Sequence, residues 1–586
     1  NAKYIHSNLA VYSLRACAGE YRDAVELAEY TINNQKDYIL EELYKRKPDV
    51  LCFSCYIWNI DYVTDIAREY KKLCPSVPIW VGGPEVSYEV EAFLRENPYI
   101  DGVMIGEGED TFRELCGYYA HKRKLSDIAG IAFRKNSTGN STSVNNIGGN
   151  KAGEIVFTSP RPIKNMSEIP FCYDTLDDFS NRIIYYESSR GCPFSCSYCL
   201  SSVDKTLRFR DTEIVKRELK FFIDQKVPQI KFVDRTFNCN HAHAMELWRF
   251  IKANDNGVTN FHFEISADLL NQEELELISD MRPGLIQLEI GVQSTNEVTI
   301  KEIHRTMKLE RLKEVVRLIQ SGNNIHEHLD LIAGLPYEDY DSFGRSFDEI
   351  YELKPNQLQL GFLKVLKGSY MFEHAAEYGI VYHDKPPYEV MSTKWLSFDD
   401  VIKIKRVEDM LEVYYNSGQF EITMKLMECI FDSAFEFFQE LGDFYEANGY
   451  FGMSHSRIRR CEILLEFLAL YLHGCDSDDM ASVGLSGNAG DRDNTDFDEN
   501  AQIYSMIQES LIFDLYYREN CKSRPRWATD IGKFKHMTHA YCKNGKLSHV
   551  EPFHYIFPDK HTRKLDELPK YHKEPVWALF HYDMRD

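Results

Sequence analysis

Three cysteines, Cys192, Cys196 and Cys199, stand at i, i+4 and i+7 in Ser189-Arg190-Gly191-Cys192-Pro193-Phe194-Ser195-Cys196-Ser197-Tyr198-Cys199. They follow an apolar, β-branched and aromatic run over 183–187. The run predicts a strand, and Gly191 and Pro193 end it in a loop. Such a loop can wrap its thiolates around one face of an iron–sulfur cluster, for which thiolate is the usual ligand. A cubane held in this way keeps one iron without a protein ligand, and an open metal position is where substrate chemistry takes place. Two plainer readings compete, a structural zinc site and ordinary buried thiols. Zinc asks for a fourth Cys or His nearby, and none lies between Tyr185 and Leu207. Buried cysteines are common singly but not at this spacing after a strand. The iron–sulfur reading is the stronger.

At 586 residues the chain is long enough for three or four domains, and 44% hydrophobic and 13% aromatic content suits large cores. Its 68 Lys and Arg against 91 Asp and Glu leave a net charge of −23. That balance sets aside a general nucleic-acid-binding surface. No apolar run approaches the roughly 20 residues of a membrane span, and no secretory signal is visible. The 15 cysteines are scattered, which fits a reducing, cytoplasmic location. Asn1 is not an initiator residue, so residues preceding it are expected.

Residues 1–125 alternate strand-like and helix-like segments. Short apolar runs at 50–56 and 78–82 predict buried parallel strands, with helical spacing over 62–73 between them. A third strand is expected over 100–105, ended by Gly106-Glu107-Gly108-Glu109, and a helix opens at Asp110-Thr111. This alternation predicts an α/β, doubly wound, Rossmann-like sheet whose ligand lies at the carboxyl ends of the strands. The strand-end loops carry Ser54, Tyr56 and Asn59, then Gly82-Gly83-Pro84-Glu85, then Gly106 to Glu109. Their glycines would let backbone approach a bulky ligand, although any one loop alone reads better as a tight turn. A Ser-, Asn- and Gly-rich stretch at 136–151 predicts a mobile hairpin tip between strands at 130–134 and 154–158. Residues 160–179 read as a linker.

From 183 to about 366 strand-like runs recur at 183–188, 229–233, 261–266, 285–291, 328–333 and 357–365. Helices are expected between them at 211–225, 241–253, 272–281, 309–320 and 340–353. Fewer units than a closed barrel needs predict an open, partial (β/α)6 barrel with its site at the carboxyl strand ends. Polar residues gather there. Asp234 and Arg235 follow the second strand, Glu264 and Ser266 end the third, and Glu289 to Ser294, with Gln293, end the fourth. Arg305 comes next, and the fifth strand carries Asp330 and Gly334. Each charged residue alone is as readily a strand-end salt bridge, but recurrence after successive strands favours a ligand.

At the cysteine loop, with Tyr198 before the last cysteine, the sequence resembles the radical S-adenosylmethionine superfamily, whose signature is CxxxCxxC. The resemblance implies a 4Fe-4S cluster on Cys192, Cys196 and Cys199. Its open iron is chelated by S-adenosylmethionine, whose one-electron reduction yields a 5′-deoxyadenosyl radical. It also implies that Asp234-Arg235 stands where the family places a motif for the methionine amino group. Glu289 to Ser294 resembles a ribose- and carboxylate-binding segment, and Gly334-Leu335-Pro336 a feature near the adenine. Arg305 stands where related proteins hold the methionine carboxylate, with a fork that lysine lacks.

Upstream, Val81-Gly82-Gly83-Pro84-Glu85 and Ile105-Gly106-Glu107-Gly108-Glu109 resemble the cobalamin-binding domain of one branch of that superfamily. The Asp-x-His-x-x-Gly motif of other cobalamin proteins is absent, with Tyr4 and Leu9 flanking His6 in its place. His6 is expected to be a hydrogen-bonded loop histidine, and no histidine is expected beneath the cobalt. The dimethylbenzimidazole tail is expected between the strand ends, bonded by Ser54, with Gly82 and Gly83 leaving room for its ring.

Residues 369–586 show amphipathic helical runs at 401–415, 423–441 and 458–472, while strand signals fade. An acidic, Gly- and Asn-rich stretch at 476–500 reads as a disordered insertion. Aromatics such as Phe435, Phe438 and Tyr445 read more readily as core than as a substrate pocket. The tail resembles an uncharacterised C-terminal domain of some cobalamin-type radical enzymes. The expected organisation is a cobalamin domain over 1–125, hairpin and linker over 126–180, radical barrel over 181–368 and helical domain over 369–586. The resemblance implies a methyltransferase acting at an unactivated carbon through the deoxyadenosyl radical and methylcobalamin. A small-molecule or peptide substrate and a one-electron donor such as flavodoxin or ferredoxin would be its partners. An alternative is a radical cyclase, rearrangement or oxidation enzyme that uses cobalamin for electron transfer. A methylthiotransferase would need a second cysteine-ligated cluster, for which Cys17, Cys52, Cys55, Cys74 and Cys116 lack loop spacing. A non-catalytic cobalamin or redox sensor is disfavoured by the complete cysteine triad.

Overall fold

The computed structural model describes residues 1–582 apart from 2, 136–152, 204, 474–498, 520, 522–523, 529–530, 533–547, 559–561, 563–564 and 566. The expected hairpin tip at 136–151 and nearly all of the acidic stretch at 476–500 lie outside the described residues. The chain forms two compact units. One is Asn1–Glu338 with Gly361–Ser397, and the other Asp339–Leu360 with Phe398–Asp586.

The first unit opens with a five-stranded sheet. Its strands are β1 (Leu51–Ser54), β2 (Ile79–Gly82), β3 (Gly102–Met104), β4 (Ile131–Arg134) and β5 (Ile155–Phe157), paired in that order. The first three are parallel and the last two antiparallel. Helix Ile60–Leu73 buries Ile60, Val63, Ile66, Ala67 and Tyr70, the three- and four-residue spacing of one helix face. Trp80, on β2, is buried in the core on one face of the sheet. Its Nε1 donates to the Tyr119 hydroxyl at 2.7 Å, and its ring lies where a Cβ on Gly102 would come within 2.3 Å.

Next come β6 (Ile184–Tyr186), the paired β7 (Ser189–Arg190) and β8 (Arg208–Phe209), then β9 (Gln229–Phe232), β10 (Asn260–Ile265), β11 (Ile286–Gln293), β12 (His326–Ala333) and β13 (Gln357–Phe362). The six-stranded sheet runs β13-β12-β11-β10-β9-β6, and its strands are parallel from β6 to β12. Helices follow the strands as the spacing predicts, and their starts are written in the sequence. Asp211 accepts the N–H groups of Glu213 and Ile214, and Asn271 with Glu274 forms a reciprocal capping box. The result is an open partial barrel with its carboxyl strand ends along one rim. A short antiparallel pair follows, β14 (Val381–Tyr382) and β15 (Val390–Ser392).

The second unit is built mainly of helices, and it departs from the sequence pattern in two places. The single helix expected over 423–441 is two helices, Glu421–Ile430 and Ala434–Ala447. Ser433 breaks the run by capping the second helix, accepting the Glu436 N–H at 3.0 Å and donating to Asp348 at 2.7 Å. The first helix starts where Asp514, from helix Glu499–Arg518, accepts the N–H groups of Ile422 and Thr423. Strands also return near the end, where β16 (Ser548–Tyr555) pairs antiparallel with β17 (Tyr571–His581). Most of β17 is exposed or half-buried and begins with polar residues, which hides its strand character from the pattern. Phe435, Phe437, Phe438 and Tyr445 are buried, and Phe435 packs where Gly344 has no Cβ.

Gly102→Ala should force the Trp80 ring off its seat and destabilise the first sheet by about 1–3 kcal/mol, the usual range for overpacking a core. Urea unfolding followed by tryptophan fluorescence reads it. An unchanged midpoint would mean that the ring swings aside without strain.

Candidate active site

The loop carrying Cys192, Cys196 and Cys199 leaves β7 and returns along β8. Gly191 opens it with φ at +86°, and a Cβ there would stand 2.5 Å from the Thr206 carbonyl oxygen. Only glycine lets the two chain segments pass so closely. Backbone bonds pin the middle of the loop. Ser197 N–H donates to Ile303 at 2.9 Å, and Met371 N–H donates to Ser197 at 2.9 Å. All the loop's thiols are free, with Cys192 and Cys196 buried and Cys199 half-buried. Cys192 Sγ lies 3.8 Å from the Thr236 hydroxyl and Cys196 Sγ 3.9 Å from Arg305 Nη1. Burial pushes the Cys196 thiol up, and the Arg305 guanidinium opposes it. Among the described residues no three His, Cys, Asp or Glu side chains are grouped as a single metal ion requires. A four-iron cluster instead takes each thiolate on a separate iron, and free thiols on one pinned loop fit that demand.

Arg305 links the barrel rim to this loop. Its Nη2 donates to the Gly291 carbonyl at 2.5 Å and Nη1 to the Tyr198 hydroxyl at 3.2 Å, while its buried Nε has no partner. Gln293 sits at a slip in the β11–β12 pairing with φ at +78°. Its Nε2 lies 2.4 Å from where a Gly291 Cβ would stand, and its buried Oε1 is unpartnered. Asp330 belongs to the adjoining β12. Burial pushes it well up, and its Oδ1 lies 3.1 Å from His328 Nε2 without completing a hydrogen bond. Orphaned buried polar atoms are rare in a finished interior. Those of Arg305, Gln293 and Asp330 leave one donor and two acceptors unmet beside the thiols, a set whose chemistry fits the carboxylate and ammonium of S-adenosylmethionine. Glu289 turns inward instead. Lys231 Nζ is 2.8 Å away and His262 Nε2 3.0 Å away, and against the upward push of burial they hold its carboxyl down to about 2.

Several other residues expected at a ligand are used within the protein. Asp234 is fully buried and accepts from Ser188 N–H (2.9 Å), the Ser188 hydroxyl (2.7 Å) and the Ser189 hydroxyl (2.6 Å), fixing the strand end that enters the cysteine loop. Ser266 is bound by Asn238 and Asp268. A Cβ on Gly334 would stand 2.7 Å from Val390, which fills the space. Asn59 closes its own loop, donating to Ser54 O at 2.9 Å and accepting from Tyr56 N–H at 2.8 Å, and Glu85 accepts from the Tyr388 hydroxyl. A Cβ on Gly83 would lie 2.4 Å from the Cys55 carbonyl oxygen, so that side is filled, while Gly83 also borders the cavity beside the strand ends. Gly106, by contrast, meets nothing within 4 Å and faces open space.

A cavity of about 1900 Å³ lies between the strand-end loops of the first sheet and the barrel rim. Ser54, Tyr56, Gly82, Pro84 and Gly106 line one side, with Trp58, and Tyr185, Lys231, Arg235 and Glu264 the other. Tyr56 and Trp58 stack with centroids 4.5 Å apart and planes 8° apart. Sites for drug-sized ligands run to about 1,000 Å³, so this one has room for a far larger, flat group such as a corrin. His6 also lines it, with Nδ1 2.7 Å from the Tyr185 hydroxyl and its pKa lowered by burial.

Glu107, Gly108 and Glu109 border the cavity too, but both carboxylates turn to the cysteine loop. Arg190 and Arg208 are register partners on β7 and β8, a like-charge pair that would open the strands if left alone. Glu107 lies 2.6 Å from Arg208 and 3.4 Å from Arg190, Glu109 is 2.6 Å from Arg190, and Glu187 adds a contact at 2.9 Å. Despite burial, the two guanidinium groups hold the Glu107 carboxyl below its ordinary range. Sequence reasoning missed both arginines, although Arg190 stands inside the motif.

Comparison with known proteins matches residues 1–116 to a B12 binding domain, 186–350 to the radical SAM superfamily and 376–584 to a protein family of unknown function, DUF4080. The chain is 27% identical over 360 residues to the cobalamin-dependent radical SAM methyltransferase TokK of Streptomyces tokunonensis, covering 58% of this chain and 49% of that protein. It is 27% identical over 322 residues to the 2-(S-pantetheinyl)-carbapenam-3-carboxylate methyltransferase of Streptantibioticus cattleyicolor, covering 52% and 45%. The chain thus spans about half the length of these curated relatives. A solved structure of OxsB, a cobalamin-dependent S-adenosylmethionine radical enzyme with aqua-cobalamin and S-adenosylmethionine bound, aligns with TM-score 0.54 at 16% identity, covering 89% of this chain and 80% of that one. That likeness is one of fold. The resemblance carried by the cysteine loop and the glycine-rich loops is matched in both domains.

The ion-pair cluster should show coupling. In a double-mutant cycle of Glu109→Gln and Arg190→Lys, unfolding free energies should be non-additive by about 1.5–3 kcal/mol, the worth of a charged hydrogen bond. Additive losses would mean that the contact is idle. Asp234 should leave a signature in pH. Burial lifts it to about 6 against its hydrogen bonds from Ser188 and Ser189, from an unfolded value of about 3.9. Between those values the folded chain keeps a proton that the unfolded chain has lost, so this group's contribution to stability falls as pH rises from about 4 to 6. Asp234→Asn should flatten that slope in urea titrations. A slope unchanged by the substitution would show that Asp234 stays ionised.

Proposed function

We propose that this chain, in which a B12-binding domain and a radical SAM domain share one compact unit, is a cobalamin-dependent radical SAM methyltransferase acting at an unactivated carbon. The observation that carries the reading is the common cavity of about 1900 Å³, onto which both the glycine-rich loops and the barrel rim open. Cys192, Cys196 and Cys199 would hold a 4Fe-4S cluster, Arg305, Gln293 and Asp330 would receive S-adenosylmethionine, and Ser54, Tyr56, Trp58 and Gly106 would receive cobalamin. When bound, the cluster supplies the electron that cleaves the sulfonium and the cobalamin carries the methyl group.

The chain's own residues bind, orient and exclude water. Arg305 offers its fork to a carboxylate while the Tyr198 hydroxyl and the Gly291 carbonyl fix its plane. Asp234 holds Ser188 and Ser189 so that the loop enters at one angle. Burial of Cys192 and Cys196 keeps those thiolates out of bulk water. Similarity to the two methyltransferases above supports methyl transfer over a cyclase-type outcome. A flavodoxin- or ferredoxin-type donor in a reducing cytoplasm would supply electrons, and −23 net charge argues against nucleic acid as partner. No helix among the described residues is long and apolar enough to cross a membrane.

Anaerobically reconstituted protein should show iron–sulfur absorbance and form 5′-deoxyadenosine from S-adenosylmethionine. Replacing Cys192, Cys196 or Cys199 by Ala should abolish both. A triple variant that keeps full iron content and forms 5′-deoxyadenosine would overturn the reading.

A further inference from the structure

At the barrel rim the charges that line the cavity are neutralised by neighbours at nearly every position. Glu187 and Glu109 meet Arg190, Glu107 meets Arg208, and Lys231 meets Glu289. Two groups differ. Arg235, three residues past the end of β9, is exposed to the cavity and makes no hydrogen bond or ion pair among the described residues. Glu264, on the neighbouring β10, also faces the cavity and makes none there. The two lie within reach of each other's field, since Arg235 opposes the upward push that burial gives the Glu264 carboxyl. The stacked Tyr56 and Trp58 of the other domain line the same cavity as Arg235.

We infer that Arg235 and Glu264 form the substrate subsite of the shared cavity, built for a small molecule that carries an oxyanion, carboxylate or phosphate, next to a hydrogen-bond donor. This rests on the shared-cavity reading of function and narrows its substrate. A guanidinium has donors only, so Arg235 cannot receive the ammonium of methionine at this strand end and is left to an anion. Its planar fork matches a carboxylate or phosphate edge. Because Arg235 is exposed to the cavity and holds no ion pair, an anion meets its fork with no protein partner to displace. Arg305 already stands at the thiols for the methionine carboxylate, so a second guanidinium at the rim serves a different anion. Glu264, free of any ion pair, is left to accept from the substrate's donor.

The test is arginine labelling of holoenzyme loaded with cluster and cobalamin. Phenylglyoxal is added anaerobically and adducts are located by peptide mass spectrometry. Arg235 should react at least roughly tenfold faster than the ion-paired Arg190 and Arg208 (~1.4 kcal/mol). Inorganic phosphate or acetate should slow Arg235 alone, and the more effective of the two names the oxyanion. Glycine, which adds an ammonium to the carboxylate, should protect severalfold better than acetate, and Glu264→Gln should erase that advantage. Equal labelling with and without the anions overturns the Arg235 assignment, and equal protection by glycine and acetate overturns that of Glu264. Protection by S-adenosylmethionine alone, or loss of reactivity only on cobalamin loading, would give Arg235 to a cofactor and overturn the inference. Iron content, cobalamin content and 5′-deoxyadenosine formation, measured on the same sample, report separately on the functional reading.

Discussion

The first unit depends on one guanidinium. Arg190 stands two residues before the first cysteine and gathers Glu187, Glu107 and Glu109 around itself. Its cross-strand neighbour Arg208 follows the last cysteine and shares Glu107. Both roots of the cysteine loop are thus gripped by a single glutamate-bearing turn of the B12-binding domain. The carboxylates screen two arginines that would otherwise repel, and the arginines answer carboxylates that burial would otherwise penalise. Neither set is tolerable alone in so dry a place. The spacing between the strand-end loops of the first sheet and the thiols is therefore set by charge balance as much as by packing.

Inside the barrel the same economy of charge recurs across the strands. Glu264 and Glu289 are register partners, and Glu289 pairs in turn with His328. Lys231 and His262 answer Glu289, while burial keeps His328 down to about 4 and Asp330 well up. His328 is thus uncharged near neutrality, and it faces a carboxyl whose charged form burial disfavours. The interior is polar yet nearly balanced, which leaves the field at the rim to Arg235 and Glu264.

Much of this could be read from the chain before folding it. Strand runs separated by capped helices gave the barrel, because a capping residue and its N–H partners lie within a few positions of each other, as with Asn271 and Glu274. The cysteine spacing marked the loop for the same local reason. What stayed hidden was direction. Asp234 and Arg235 are neighbours at one strand end, yet one points back at Ser188 and the other into the cavity. Glu107 and Glu109 looked like ligand residues because their partners lie 101 and 81 positions away. The break at Ser433 depends on Asp348, far off in sequence, and so no periodicity could announce it.

Gly191 carries a consequence for how the protein matures. The Thr206 carbonyl fills the space a side chain would need, and backbone bonds to Ile303 and Met371 hold the middle of the loop. The loop's entry and its middle are thus held by contacts with the rest of the polypeptide. Assembly machinery delivering a cluster would meet a rigid cradle, and little chain entropy would oppose the transfer. Because Glu109 reaches Arg190 only once the B12-binding domain is in place, that cradle is completed by domain docking. A cluster seated on this loop would therefore depend on the folding of both domains.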